Sequence, residues 1–145
     1  MYDDIVVPTD GSDYADSAAE TAFDLADHHD ATVHVVCAVD PGPLGKLRLP
    51  GDAASAEAAI EAKANQSVDR LEDRATERGL AVETATPSGP PGETILEYAE
   101  EAEADLVVMG TRGQGGVHRM AVGSVADYVI RFGDVQVLIA ETDDG

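Results

Sequence analysis

The chain has 145 residues, 43% of them hydrophobic, enough for one domain with a core of its own over residues 1–145 and too apolar for a disordered chain. It carries 29 acidic and 9 basic residues, a net charge of −20, which excludes nucleic acid and anionic membrane surfaces as partners. No apolar run approaches the ~20 residues of a membrane span, and Met1-Tyr2-Asp3-Asp4 lacks the basic region of a signal peptide, so a cytoplasmic protein is expected.

In chain order, Asp4–Pro8 holds Ile5-Val6-Val7, a short apolar run suited to a buried strand. Thr9-Asp10-Gly11-Ser12 breaks it, and Ser12 is placed to cap a helix running to about His29. Ala15, Ala18, Ala19, Ala22, Phe23 and Ala26 recur on one face of that helix. Thr32–Val39, β-branched and apolar, reads as a second strand, and Pro41–Gly51 as a loop. Ala53–Arg78 has the composition of a long helix whose buried stripe is Ile60, Ala64, Val68, Leu71 and Ala75, with Gly79 as its C-terminal cap. Leu80–Thr86 is a third strand and Pro87–Gly92 a loop with an unusual Pro90-Pro91 pair. Glu93–Glu103 is a helix with Ile95, Leu96, Tyr98 and Ala99 facing inward. Leu106–Met109 is a fourth strand, Ser124–Phe132 a last helix and Val135–Ala140 a fifth strand. Strands alternating with helices predict an α/β fold with a doubly wound parallel sheet.

Ligands of such sheets bind beyond the carboxyl ends of the strands, where the winding reverses. The segment Gly110–Ser124 follows the fourth strand, contains five glycines and opens a helix. Its backbone N–H groups and the positive end of the helix dipole suit a phosphate. Charge agrees: Leu106–Ala126 has no Asp or Glu and carries Arg112, Arg119 and His118. Pro41–Gly51 is also free of acid and holds Lys46 and Arg48, a second, weaker candidate for phosphate contact. Other chemistries find no support. Gly45-Lys46-Leu47 fails the Walker pattern, Pro8–Ser12 is not a dinucleotide fingerprint, and there is no nucleophile elbow. His28, His29 and His34 have no zinc spacing with Cys37, which reads as a small core residue.

With these motifs in place the chain resembles the universal stress protein family, in its ATP-binding branch. Gly110, Gly113, Gly123 and Ser124 match the family's nucleotide signature (glycine, two residues, glycine, nine residues, glycine-serine) without a gap, and Ile5–Ser12 matches its first strand and loop. The resemblance runs from Asp4 to Ala140. It implies a five-stranded parallel sheet of order 3-2-1-4-5 with helices on both faces, the Rossmann-like architecture of the adenine-nucleotide-binding α/β group. It implies that Pro8, Thr9 and Asp10 line the site, Asp10 near the ribose or a metal; that adenine meets the backbone at Val35; that Met109 and Gly110 close the adenosine pocket; and that Arg112, Gly113, Gly123, Ser124 and Val125 serve the phosphates. The implied ligand is ATP, or AMP or ADP, with Mg²⁺ or Mn²⁺ as an optional companion. The implied assembly is a homodimer through Val135–Ala140, although the proline often found before that strand is replaced by Gly133-Asp134.

Two further expectations follow. The acidic excess reads as adaptation to a high-salt cytoplasm, because at molar salt the Debye length falls to about 3 Å and self-repulsion largely vanishes. A regulatory stress-response binder is favoured over the alternative, a slow ATP-hydrolysing or adenylyl-transferring enzyme, because no general base is positioned and no S-G-G-x-D-S-type loop follows the first strand. A phospho-acceptor role for Asp10 lacks the acidic pair and the late lysine it would need.

Overall fold

The computed structural model describes residues 2–39, 52–110 and 124–140. Five strands, β1 (Asp4–Pro8), β2 (Thr32–Val36), β3 (Val82–Ala85), β4 (Leu106–Gly110) and β5 (Gln136–Ala140), alternate with four helices, α1 (Asp13–His29), α2 (Asp52–Glu77), α3 (Pro91–Glu101) and α4 (Ser124–Phe132). All strand pairs are parallel, as the alternation of strands and helices predicts, and the order is β3-β2-β1-β4-β5, as the resemblance implies. The winding reverses between β1 and β4.

Alternation along the strands divides the core in two. Ile5, Val7, Val33, Val35, Leu106 and Val108 face α1 and α2, and Phe23, Leu71 and the alanines of α1 fill that layer. Val6, Val36, Val107 and Met109 face α3 and α4, against Ile95, Ala99, Ala126 and Val129. The six predicted core positions of α1 are all buried, and Ser12 caps the helix by accepting the Ala15 N–H at 3.2 Å. Alanine on this face lets α1 lie close to the sheet. A ladder at four-residue steps joins α1 to α2: Arg70 to Asp16 at 3.0 Å, Arg74 to Glu20 at 3.7 Å, and Arg78 to Asp24 at 2.6 Å. These pairs are largely exposed, so they set helix register more than they add stability.

Several boundaries differ from the sequence pattern for identifiable reasons. β2 ends at Val36, not Val39, because β1 stops at Pro8 and leaves the next residues with a partner on one side only. Cys37 and Val39 still donate to the Ala85 and Pro87 carbonyls at 3.0 and 2.8 Å. β3 loses Leu80 to the end of α2, where the Leu80 N–H bonds the Ala75 carbonyl at 3.0 Å around Gly79 at φ 76°. α3 starts two residues early, because Pro91 occupies the first helical position, where its missing N–H costs nothing. That accounts for the second proline of the Pro90-Pro91 pair. α3 also stops at Glu101: Glu103 turns left-handed at φ 53°, and the Ala104 N–H returns to the Ala99 carbonyl.

His34 is buried on the α3 face with both ring nitrogens engaged, one with the Asp4 carboxylate and one with the Tyr98 hydroxyl, each at 2.9 Å. It ties β1, β2 and α3 together by packing and hydrogen bonding. At the opposite edge of β1, Asp105 accepts the N–H groups of Asp3 and Asp4 at 2.8 and 3.0 Å. Those two bonds hold its carboxyl below the usual carboxylate range. A depressed native pKa means stabilisation that is present above the unfolded pKa and lost as pH falls through the native one. Asp105→Asn is therefore expected to lower Tm at neutral pH, with the two melting curves converging on acidification. A gap between the proteins that stays constant from pH 7 to pH 2 would contradict this.

Candidate nucleotide-binding crevice

The carboxyl ends of β1 and β4 form the two lips of the crevice. β1 stays paired to β2 as far as Pro8–Val36, and the Thr9 N–H still donates to the Val36 carbonyl at 2.8 Å. Against β4, however, only Ile5–Leu106 and Val6–Val107 are in register. The two central strands part after Val6 and Val107, at the point where the winding reverses, and the gap opens toward the strand ends.

On the β1 lip the chain turns sharply. Thr9 is buried and its hydroxyl accepts the Gly11 N–H at 3.1 Å; the exposed Asp10 accepts the Ser12 N–H at 2.9 Å. These bonds turn the chain into α1 directly above the end of β1. Cys37 lies below, with its thiol pushed up by burial and by the Asp10 carboxylate. On the β4 lip, Met109 is buried and Gly110 half-buried. A Cβ on Gly110 would stand 2.7 Å from the Tyr14 carbonyl oxygen, so the end of β4 abuts the first turn of α1. Ser124 opens α4 and is exposed, and Val125 packs partly against the core. The structure thus gathers Pro8, Thr9, Asp10, Met109, Gly110, Ser124 and Val125 at one edge of the sheet. Arg112, Gly113 and Gly123, with Lys46 and Arg48, lie outside the described residues.

Val35 does not join them. It sits mid-strand with no exposed side-chain surface, inside the layer facing α1 and α2. Val33, Cys37 and Val39 donate to the β3 side. By the alternation of a parallel ladder Val35 does the same, in register with Thr84. Its backbone has nothing left for a base. Ala38 belongs to the other set, with His34 and Val36, whose polar groups turn toward β1. Since β1 has ended, the N–H and C=O of Ala38 face the gap, and neither bonds another described residue. An adjacent donor and acceptor at a crevice edge match the edge of a purine. Sequence spacing could not reveal this, because it depends on where β1 stops; Pro8, which ends β1, is the local signal. Among the described residues, no group of three His, Cys, Asp or Glu is placed to hold a metal ion, and no helix is long and apolar enough to cross a membrane.

Known proteins agree with this architecture. The model of the universal stress protein family matches residues 1–141. The chain is 35% identical over 141 residues to the universal stress protein MJ0531 of Methanocaldococcus jannaschii, covering 97% of this chain and 83% of that one. It superimposes on the universal stress protein UspA of Lactobacillus plantarum with a TM-score of 0.82 at 29% identity, covering 96% of this chain and 97% of that one. It superimposes on a universal stress protein crystallised in complex with cAMP with a TM-score of 0.71 at 30% identity, covering 97% of each chain.

Proposed function

Because the chain belongs to the universal stress protein family, we propose that it is an ATP-binding regulatory member of it, holding the nucleotide in the crevice between β1 and β4. One observation carries the reading: the central strands part between a Thr9–Asp10 turn and a Gly110 lip, and Gly110 begins the gap-free glycine signature. A relative that binds cAMP supports the adenine class. In this proposal the Ala38 backbone, rather than Val35, reads the adenine edge. Pro8, Thr9 and Asp10 wall the ribose, and Met109 and Gly110 close the other side. Arg112, Gly113, Gly123, Ser124 and Val125 seat the phosphates, where Mg²⁺ or Mn²⁺ would enter with the ligand. Binding is favoured over turnover, because Asp10, the only carboxylate of the β1 turn, already accepts the Ser12 N–H and no further base stands near it in that turn.

The proposal includes a homodimer of one-domain chains in a high-salt cytoplasm. The outer edge of β5 is free among the described strands, and Leu138 on that strand is exposed. Strand-edge pairing between two copies would cover it. Titration with ATP, AMP and inorganic phosphate in molar KCl, with and without Mg²⁺, tests the function. Saturable binding of ATP or AMP with no comparable binding of phosphate alone is expected. Absence of nucleotide binding under all these conditions would overturn the reading.

A further inference from the structure

Away from the crevice, the seam between α3 and α4 opens into a groove of about 440 Å³ that runs down to the amino-terminal edge of the sheet. Its floor is apolar, formed by Leu96, Tyr128, Phe132 and Val135. Phe132 is 68% exposed and its ring lies 4.7 Å from that of Tyr128, so an aromatic pair faces solvent on one side of the groove. Phe132 is a large apolar side chain that the fold leaves uncovered.

The rim is acidic. Glu93, Glu97, Glu100, Glu103 and Asp134 line the groove, and none of the five is in an ion pair with any described residue. On α1, by comparison, Asp16, Glu20 and Asp24 are met by Arg70, Arg74 and Arg78, and on α4 Asp127 is met by Arg131. Of the four helices, α3 is also the one with no basic residue in its last turn. It ends instead on Glu100 and Glu101, with Glu103 just beyond, at the negative pole of its own dipole. The carboxyl end of α4 reaches the same place at Phe132 and Gly133. Two helix poles and five carboxylates therefore concentrate uncompensated negative potential over an aromatic floor, an arrangement that costs stability until a cation meets it.

We propose that this groove is a docking site for a basic amphipathic segment of a partner protein, with large apolar side chains against Leu96, Tyr128 and Phe132 and flanking Lys or Arg on the acidic rim. Charge complementarity selects this occupant. A second copy of the chain is assigned above to the β5 edge, and at this rim it would bring like charges together; a nucleic acid or an anionic lipid would be repelled. The groove lies on the outer α3–α4 seam and shares no lining residue with the crevice, so the proposal does not depend on nucleotide binding.

The probe is a synthetic amphipathic helical peptide of leucine and lysine, compared with a peptide of the same composition in scrambled order. Both are titrated at the lowest salt at which the protein keeps its native circular dichroism. The patterned peptide is expected to bind and the scrambled one to bind at least about thirtyfold more weakly, the size of one interface hot spot. Phe132→Ala and the Glu97→Gln/Glu100→Gln pair should each weaken the patterned peptide by a similar factor. Both changes lie on exposed side chains and should leave Tm and ATP affinity unaltered. Equal binding of the two peptides, unchanged affinity in Phe132→Ala, no binding of either peptide, or binding of a simple alkylammonium in place of the peptide would each overturn the proposal.

Discussion

Gly110→Val is expected to destabilise the protein by about 3 kcal/mol, the upper end of the overpacking range, and to lower Tm by roughly 10 °C for a chain of this length. The reason is space. The added Cβ would lie 2.7 Å from the Tyr14 carbonyl oxygen, 2.9 Å from its carbonyl carbon and 3.0 Å from its Cβ. The first two are main-chain atoms of α1, so no rotamer change can relieve the clash; either the end of β4 or the first turn of α1 must move. α1 is fixed by the Ser12 cap, by six buried side chains and by the arginine ladder. β4 is fixed by its register with β5 through Gly110–Ala140. Any movement that admits the valine displaces the Thr9–Ser12 turn or the β4 lip, so nucleotide affinity should fall together with Tm. Gly110→Ala should show the same losses in smaller measure. Thermal unfolding and ATP titration on the same preparations check both. A valine variant with wild-type Tm would show that α1 and β4 do not meet as described.

That contact was not legible in the sequence, although much around it was. The stripe from Ala15 to Ala26 and the Ser12 cap are visible because helix period and cap chemistry are local properties. The limits of α4, Ser124 and Phe132, follow in the same way. The strand ends were less legible, since a strand stops where its neighbour stops. Thr32–Val39 carries eight residues of strand character, and the ladder ends at Val36 because of Pro8 on another strand. The burial of Val35 and its pairing toward β3 were hidden for the same reason. Which backbone groups are free depends on the alternation between β1 and β3, which no single strand reveals. The groove beside α3 had a sequence signal, a helix of four glutamates (Glu93, Glu97, Glu100 and Glu101) without one basic residue. Its apolar floor needed α4 alongside before it could be seen.

The other large effect is expected at the phosphate seat. Gly123→Val should reduce ATP affinity by about a hundredfold, close to 2.8 kcal/mol, with little change in Tm. Gly123 immediately precedes Ser124, the first residue of α4, in sequence. The first N–H groups of a helix have no intrahelical acceptors and are the donors a phosphate uses. A β-branched residue next to those donors in sequence adds bulk where the signature has none, and is expected to hinder the approach of phosphate oxygens. It would also replace solvation of the exposed N–H groups with apolar surface. α4 itself should persist, because Ala126 and Val129 anchor it in the core beside Ile95 and Ala99, well inside its first turn. The effect should depend on the phosphates. Adenosine, which lacks them, should bind wild type and variant alike, and AMP should lose less than ATP. A uniform loss across adenosine, AMP and ATP would place the damage at the adenosine pocket and count against this seat. Unchanged ATP affinity would remove Gly123 from the site and leave the anion to the earlier glycines of the segment.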